Sequence, residues 1–160
     1  MFNRILVAVD GSAHAERAVA MAAGLAATYG ARLSIIQALI HGHVTEEMAH
    51  MAGAPVPEAP PMAAGGAWVD YQMSRESKIK IAEALLERAR SQAKEAGVDN
   101  VDTYWDDGDP AHVVIRAAEY EPTDLVVVGS RGLGQWKGLM LGSVSSKVQQ
   151  MFDGNVLTVR

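Results

Sequence analysis

Apolar positions along the chain fall into two kinds of pattern that alternate. Ile5–Val9 (ILVAV), Leu33–Leu39 (LSIIQAL) and Leu125–Val128 are short apolar runs rich in β-branched residues. Such runs fit strands buried on both faces, as in a parallel sheet. Asn155–Val159 (NVLTV) reads as a last strand. Val101, Thr103 and Trp105 alternate with polar residues, which predicts a half-exposed strand near a sheet edge.

Between these runs the spacing becomes helical. Ala15, Ala18, Val19, Ala22, Leu25, Ala26 and Tyr29 share one face of a helix over Ala13–Tyr29. Asp10-Gly11-Ser12 ends the first strand, with Ser12 placed to cap that helix and Gly30 to stop it. A second helix is predicted from Trp68 or Tyr71 to Ala96, closed by Gly97. Ala82, Leu85, Leu86, Ala89 and Ala93 form its apolar stripe. Asp106-Asp107-Gly108-Asp109-Pro110 is a turn; Asp109 as N-cap and Pro110 at the first helical position open a third helix, Ala111–Tyr120, and Pro122 prevents its continuation. Ser143 to Val148 can open a fourth. His41 to Gly66 breaks the pattern. Its prolines 55, 57, 60 and 61 predict a long loop with one short helix at Glu46–Met51.

Strands alternating with helices predict an α/β protein, a single three-layer domain with a five-stranded parallel sheet and helices on both faces. Right-handed crossovers restrict the topology, and the predicted strand order is 3-2-1-4-5. Ligands of such sheets sit beyond the carboxyl ends of the strands, where the order reverses. There the loop of Asp10 faces the loop of Gly129.

Composition narrows the function. The 160 residues suit one domain, 1–160, and 49% hydrophobic content suits a packed core. A net charge of −5 speaks against nucleic acid as the main partner. With no cysteine there is no disulfide, no thiolate metal site and no thiol nucleophile. The opening MFNRILVAVDGS enters a core strand without a signal-peptide pattern, and no apolar run approaches the ~20 residues of a membrane span. A soluble, cytoplasmic protein is the expectation.

The chemistry concentrates after the fourth strand. Gly129, Gly132, Gly134, Gly138 and Gly142 lead into Ser143 and the last helix. Strand, glycine loop and helix start make an anion site: the backbone approaches closely and unpaired N–H groups point outward. A nucleotide's phosphates are the predicted occupant. The pattern GxxxxGK[ST] is absent, so this is not a P-loop NTPase, and GxGxxG is absent at the first strand, so a Rossmann dinucleotide site is not expected. The competing reading is a flexible loop that binds nothing.

The spacing Gly129-x2-Gly132-x9-Gly142-Ser143, the opening ILVAVDGS and the run DLVVVGSRG together resemble the universal stress protein family of the ATP-binding type. The resemblance spans the chain except roughly residues 41–75, where a variable, partly mobile insertion is expected. It implies an adenine-nucleotide α-hydrolase-like fold and ATP as ligand, with Mg or Mn. Ala8, Val9 and Asp10, with Ala38, would line the adenine and ribose pocket, Asp10 near the ribose or a metal on the phosphates. Val128, Gly129, Arg131 and Gly132 would wrap the ribose and phosphates. Gly142, Ser143, Val144 and Ser145 would offer N–H and hydroxyl donors to the β- and γ-phosphates. Arg131 or Lys137 would add a cation. The family also implies a homodimer through Asn155–Val159, in some cases a tetramer, and a membrane transporter as partner. Met151-Phe152-Asp153-Gly154-Asn155 departs from the family's His-x-Pro-Cys-Pro-like run.

The function expected is regulatory. ATP orders the Gly129–Gly142 loop, and that ordering changes assembly or partner binding. A slow ATPase or phosphotransferase is the alternative, although the chain shows no evident base for in-line attack and no evident arginine finger. An interaction module without nucleotide is the third. His41, His43 and His50 invite a metal reading but lack a rigid scaffold, so surface roles are expected. Met48, Met51, Met62 and Met73 read as packing residues sooner than a partner face. Trp105 reads as a packing residue too, and Trp136 either packs or covers a ligand.

Overall fold

The β-branched runs and the alanine-rich helical faces close into a sheet between two helical layers. The computed structural model describes residues 1–39, 74–133 and 141–160. Within them the chain runs β1 (Arg4–Val9), α1 (Ala13–Tyr29), β2 (Arg32–Ala38), α2 (Arg75–Glu95), β3 (Val101–Asp106), α3 (Pro110–Tyr120), β4 (Leu125–Gly129), α4 (Ser143–Met151) and β5 (Asn155–Val159). The five strands are ordered β3-β2-β1-β4-β5, as predicted, and every pairing is parallel. In register, Ala8 pairs with Ile36 and Val9 with Gln37, while Val7 pairs with Val127. The order reverses between β1 and β4, which puts their carboxyl ends side by side.

Each face of the sheet carries its own core. Ile5, Val7, Leu33, Ile35, Leu125 and Val127 point to α1 and α2 and meet Ala18, Ala22, Leu86 and Ala89. Leu6, Ile36, Val126 and Val128 point to α3 and α4 and meet Val113, Val114 and Val148. Alanine on α1 shortens the distance from helix to sheet. β3 lies at an edge and is half-buried along most of its length, as its alternating pattern requires.

The helix ends follow their capping residues. Ser12 Oγ accepts the Ala15 N–H at 3.2 Å, Ser74 Oγ accepts the Ser77 N–H at 3.2 Å, and Asp109 Oδ1 accepts the Ala111 N–H at 3.1 Å. The Ser74 cap starts α2 at Arg75, later than the expected Trp68 or Tyr71; both of those, and the helix expected at Glu46–Met51, lie outside the described residues. Tyr29, assigned by periodicity to the buried face of α1, is 40% exposed and stands edge-on to Phe2 with centroids 5.7 Å apart. Ala23 fills the core instead.

The segment after α4 also has a packing reason. Phe152 packs against the core under α3 and α4, and a Cβ on Gly154 would collide with its ring. The ring and the glycine therefore define the turn into β5. Asp124 fastens the other end of the sheet: its Oδ2 accepts the N–H groups of Asn3 (2.7 Å) and Arg4 (2.8 Å).

Candidate functional site

Two loops meet over the carboxyl ends of β1 and β4. Gly11 turns the first with φ of +81°, a conformation that favours glycine. Behind it, Asp10 Oδ1 accepts the Ser12 N–H at 2.9 Å, which fixes the carboxylate. Asp10 Oδ2 then faces Gly132, where an added Cβ would lie only 2.5 Å away. Ser12 Oγ reaches across to Arg131 O at 3.4 Å. The sequence-predicted pair, Asp10 and the glycine loop, is thus brought together.

The loop glycines are there for space. Gly129, Gly132 and Gly142 are all absent from the positive-φ positions. A Cβ on Gly129 would strike the His14 backbone carbon at 2.9 Å, because α1 begins directly on the end of β4. A Cβ on Gly142 would come within 3.3 Å of both Arg131 Cα and Ser130 O. The Gly142 N–H donates to Ser130 O at 2.7 Å, and the Ser130 N–H donates to Val159 O at 2.6 Å. Ser145 Oγ donates to Gly142 O at 3.0 Å, with Ser130 O a second acceptor at 3.3 Å. Both serines are buried. The hydroxyl of Ser145, expected as a phosphate donor, is thereby engaged in holding the loop to α4.

The amino end of α4 differs from the others. α1, α2 and α3 each carry a side-chain cap, whereas Gly142 at the N-cap of α4 makes no side-chain cap bond. The first-turn amides of a helix have no intrahelical acceptor. With the helix dipole they favour an anion at this end, by ~0.3–1 kcal/mol at an exposed position. Ser143 is exposed there, and Val144 packs into the core below. Lys147, one turn further, donates to Asp109 Oδ2 at 2.9 Å and so ties α4 to the cap of α3. That bond, with the backbone N–H of His112, holds the Asp109 carboxyl below its ordinary range.

Small side chains form the wall beside these amides. Ala8, Ala38 and Val128 all lie on the α3 and α4 side of the sheet. Ala38 stands one residue past the Val9–Gln37 pair, at the level of Asp10. Val9 departs from its expected place: its side chain is buried under α1, so only its backbone lies toward the wall. Ser12 and Ser130 were missed as site residues, although both are the buried links between the two loops. Their signal was present in DGS and VVGS, where a serine follows a strand end directly. Gly134, Trp136, Lys137 and Gly138 lie outside the described residues, as do His41, His43, His50, Met48, Met51, Met62 and Met73. Among the described residues no cluster of three His, Asp or Glu side chains could hold a metal, and no helix is long and apolar enough to cross a membrane.

The sequence model of the Universal stress protein family matches residues 1–160. Universal stress protein YxiE of Bacillus subtilis (strain 168) is 38% identical over 163 residues, covering 100% of both chains. A solved universal stress protein in complex with cAMP superposes with a TM-score of 0.67 at 26% identity, over 99% of this chain and 97% of the other. The universal stress protein from Archaeoglobus fulgidus in complex with dAMP gives 0.66 at 20% identity, over 99% and 98%, a likeness of fold. These neighbours share the architecture of the five-stranded parallel sheet between helical layers described above.

Proposed function

This chain belongs to the universal stress protein family, and from that premise we propose that it is an ATP-binding regulatory protein. One observation carries the reading. Asp10 packs against Gly132 beside a helix start that no side chain caps. Every residue larger than glycine at that spot would fill the space between the two loops. The cAMP and dAMP complexes of structural neighbours support an adenine nucleotide as the class of ligand.

The residues present fit such a group. Ala8 and Ala38, both partly exposed, offer a small apolar wall suited to a flat base, with Val128 buried behind them. The amides at the start of α4 offer neutral donors and dipole charge for phosphates. Asp10 is the acidic group facing the loop, and it would hold Mg or Mn jointly with the phosphates. When bound, ATP supplies the negative charge and the acceptor oxygens that these donors otherwise lack.

Regulation follows from what ATP would order. A glycine-rich loop loses much conformational entropy on ordering, so ligand contacts decide how far it is populated in one form. The loop is bonded to β5 through Ser130 and Val159. β5 is one edge of the sheet, half-buried from Val156 to Val159, and an edge of this kind invites pairing. A homodimer through Asn155–Val159, its assembly to a tetramer, and a membrane transporter as partner all belong to this proposal.

Isothermal calorimetry with ATP and Mg on the wild type and on Gly132→Val decides it. Saturable binding lost in the variant is expected; equal binding in both ends the reading. Turnover above ~1 s⁻¹, the low end of ordinary enzymes, would instead favour the ATPase alternative.

A further inference from the structure

Ser12 is a polar residue only 7% exposed, set where the loop of Asp10 meets the segment after β4. Its N–H, its carbonyl and its hydroxyl are all engaged, each with a different part of the structure. The N–H donates to Asp10 Oδ1 at 2.9 Å. The carbonyl accepts the Glu16 N–H at 3.0 Å, a bond of the first turn of α1. Oγ accepts the Ala15 N–H at 3.2 Å and donates its proton to Arg131 O at 3.4 Å. A hydroxyl can cap a helix and donate outward at once, which a carboxylate cap such as Asp109 cannot do. Ser74 caps α2 in the same manner, through bonds within the first turn of its own helix.

The outward bond falls on an informative carbonyl. Arg131 O belongs to the same planar peptide group as the Gly132 N–H, and in a trans peptide the two point in opposite directions. Among the described residues no peptide bond is cis. Holding Arg131 O toward α1 therefore turns the Gly132 N–H away from α1. Gly132 N lies 3.7 Å from the place a Cβ of Gly142 would take, beside the uncapped start of α4.

We infer that Ser12 is a positioning residue for the phosphate end of the site, holding the Gly132 amide beside the first-turn amides of α4. The inference rests on the nucleotide reading above and deepens it. One side chain then sets the start of α1 and the peptide of Gly132 together, while its own N–H keeps the Asp10 carboxylate in place.

Calorimetric titrations with ATP and with adenosine, on the wild type, Ser12→Gly, Ser12→Thr and Ser74→Gly, test it. Glycine and threonine are near-equal helix caps, so the two Ser12 variants differ chiefly in the hydroxyl. Ser12→Gly should weaken ATP binding about three- to tenfold, the worth of one hydrogen bond, and leave adenosine, which has no phosphate, unchanged. Ser12→Thr and Ser74→Gly should bind ATP as the wild type does. ATP affinity unchanged in Ser12→Gly, equal weakening for adenosine, or the same loss in Ser12→Thr or Ser74→Gly overturns the inference. Hydrogen exchange of the Gly142 amide, which donates to Ser130 O, is read in the same four proteins without nucleotide. It should quicken in Ser12→Gly alone, and an unchanged rate there overturns the inference too. A wild type that binds no ATP sinks the nucleotide reading by itself, and the exchange rates still decide whether Ser12 holds the loop.

Discussion

Asp10 and Gly132 are packed so closely that the carboxylate of one occupies the place a Cβ of the other would need, 2.5 Å away. The carboxylate is not free to retreat, because Oδ1 holds the Ser12 N–H. Gly132→Ala must therefore break that bond or displace the loop. The expected result is a folded protein with nucleotide affinity reduced about tenfold, which is ~1.4 kcal/mol. Asp10→Ala in the same chain should relieve the clash, so the double variant should melt above Gly132→Ala. Calorimetric affinities and melting temperatures of the four proteins in the cycle check both statements.

Gly129 should behave differently, because its obstacle is backbone. An added Cβ would meet His14 C at 2.9 Å and Ala15 N at 3.0 Å. No rotamer change can make room, and overpacking of this sort costs about 1–3 kcal/mol. Urea unfolding of Gly129→Ala is expected to show that loss, whereas Gly24→Ala, with open space around it, should be neutral or stabilising through helix propensity.

The tie between α3 and α4 separates a cap from an ion pair. Asp109→Ala removes both the N-cap of α3 and the acceptor of Lys147. Its expected loss is ~0.5–2 kcal/mol from the cap. Lys147→Met removes only the exposed pair, worth ~0–1 kcal/mol. Guanidinium unfolding of the two variants should rank them in that order; the reverse order would contradict the assignment.

Acid should loosen the amino-terminal edge of β1. The N–H of Asn3, and next that of Arg4, hold the Asp124 carboxyl below its ordinary value of 3.8. A carboxyl lowered on folding stabilises the fold above its unfolded value, and the effect is lost as pH falls through the folded value. Stability measured from pH 5 down to 2 should therefore fall less steeply in Asp124→Asn than in wild type. Asp106 and Asp109 contribute in the same direction, so the variant should reduce the slope without abolishing it.

Much of this is legible in the sequence. The strands stood out because both faces of a parallel sheet are buried, and Leu125–Val128 shows that as an unbroken apolar run. Caps at Ser12 and Asp109 were equally plain, since local hydrogen bonding decides them. Tyr29 was misassigned because periodicity identifies a face but not where the sheet beneath it ends. Val9 was expected to line the pocket, yet its side chain turns into the opposite core, an outcome set by strand parity.

The sequence by itself determined the order of elements, the strand order and the place where a glycine loop meets a helix start. Those follow from local propensity, alternation and chain connectivity. Only the tertiary structure decided why the glycines are needed, since Gly129, Gly132 and Gly142 owe their lack of a side chain to His14, Asp10 and Arg131. Two of these three partners are more than 100 positions away in the chain, and steric exclusion across such a distance leaves no trace in a local pattern. The same holds for Arg17 Nε and the Arg160 carbonyl, which meet at 2.8 Å only because α1 packs against β4 and β5.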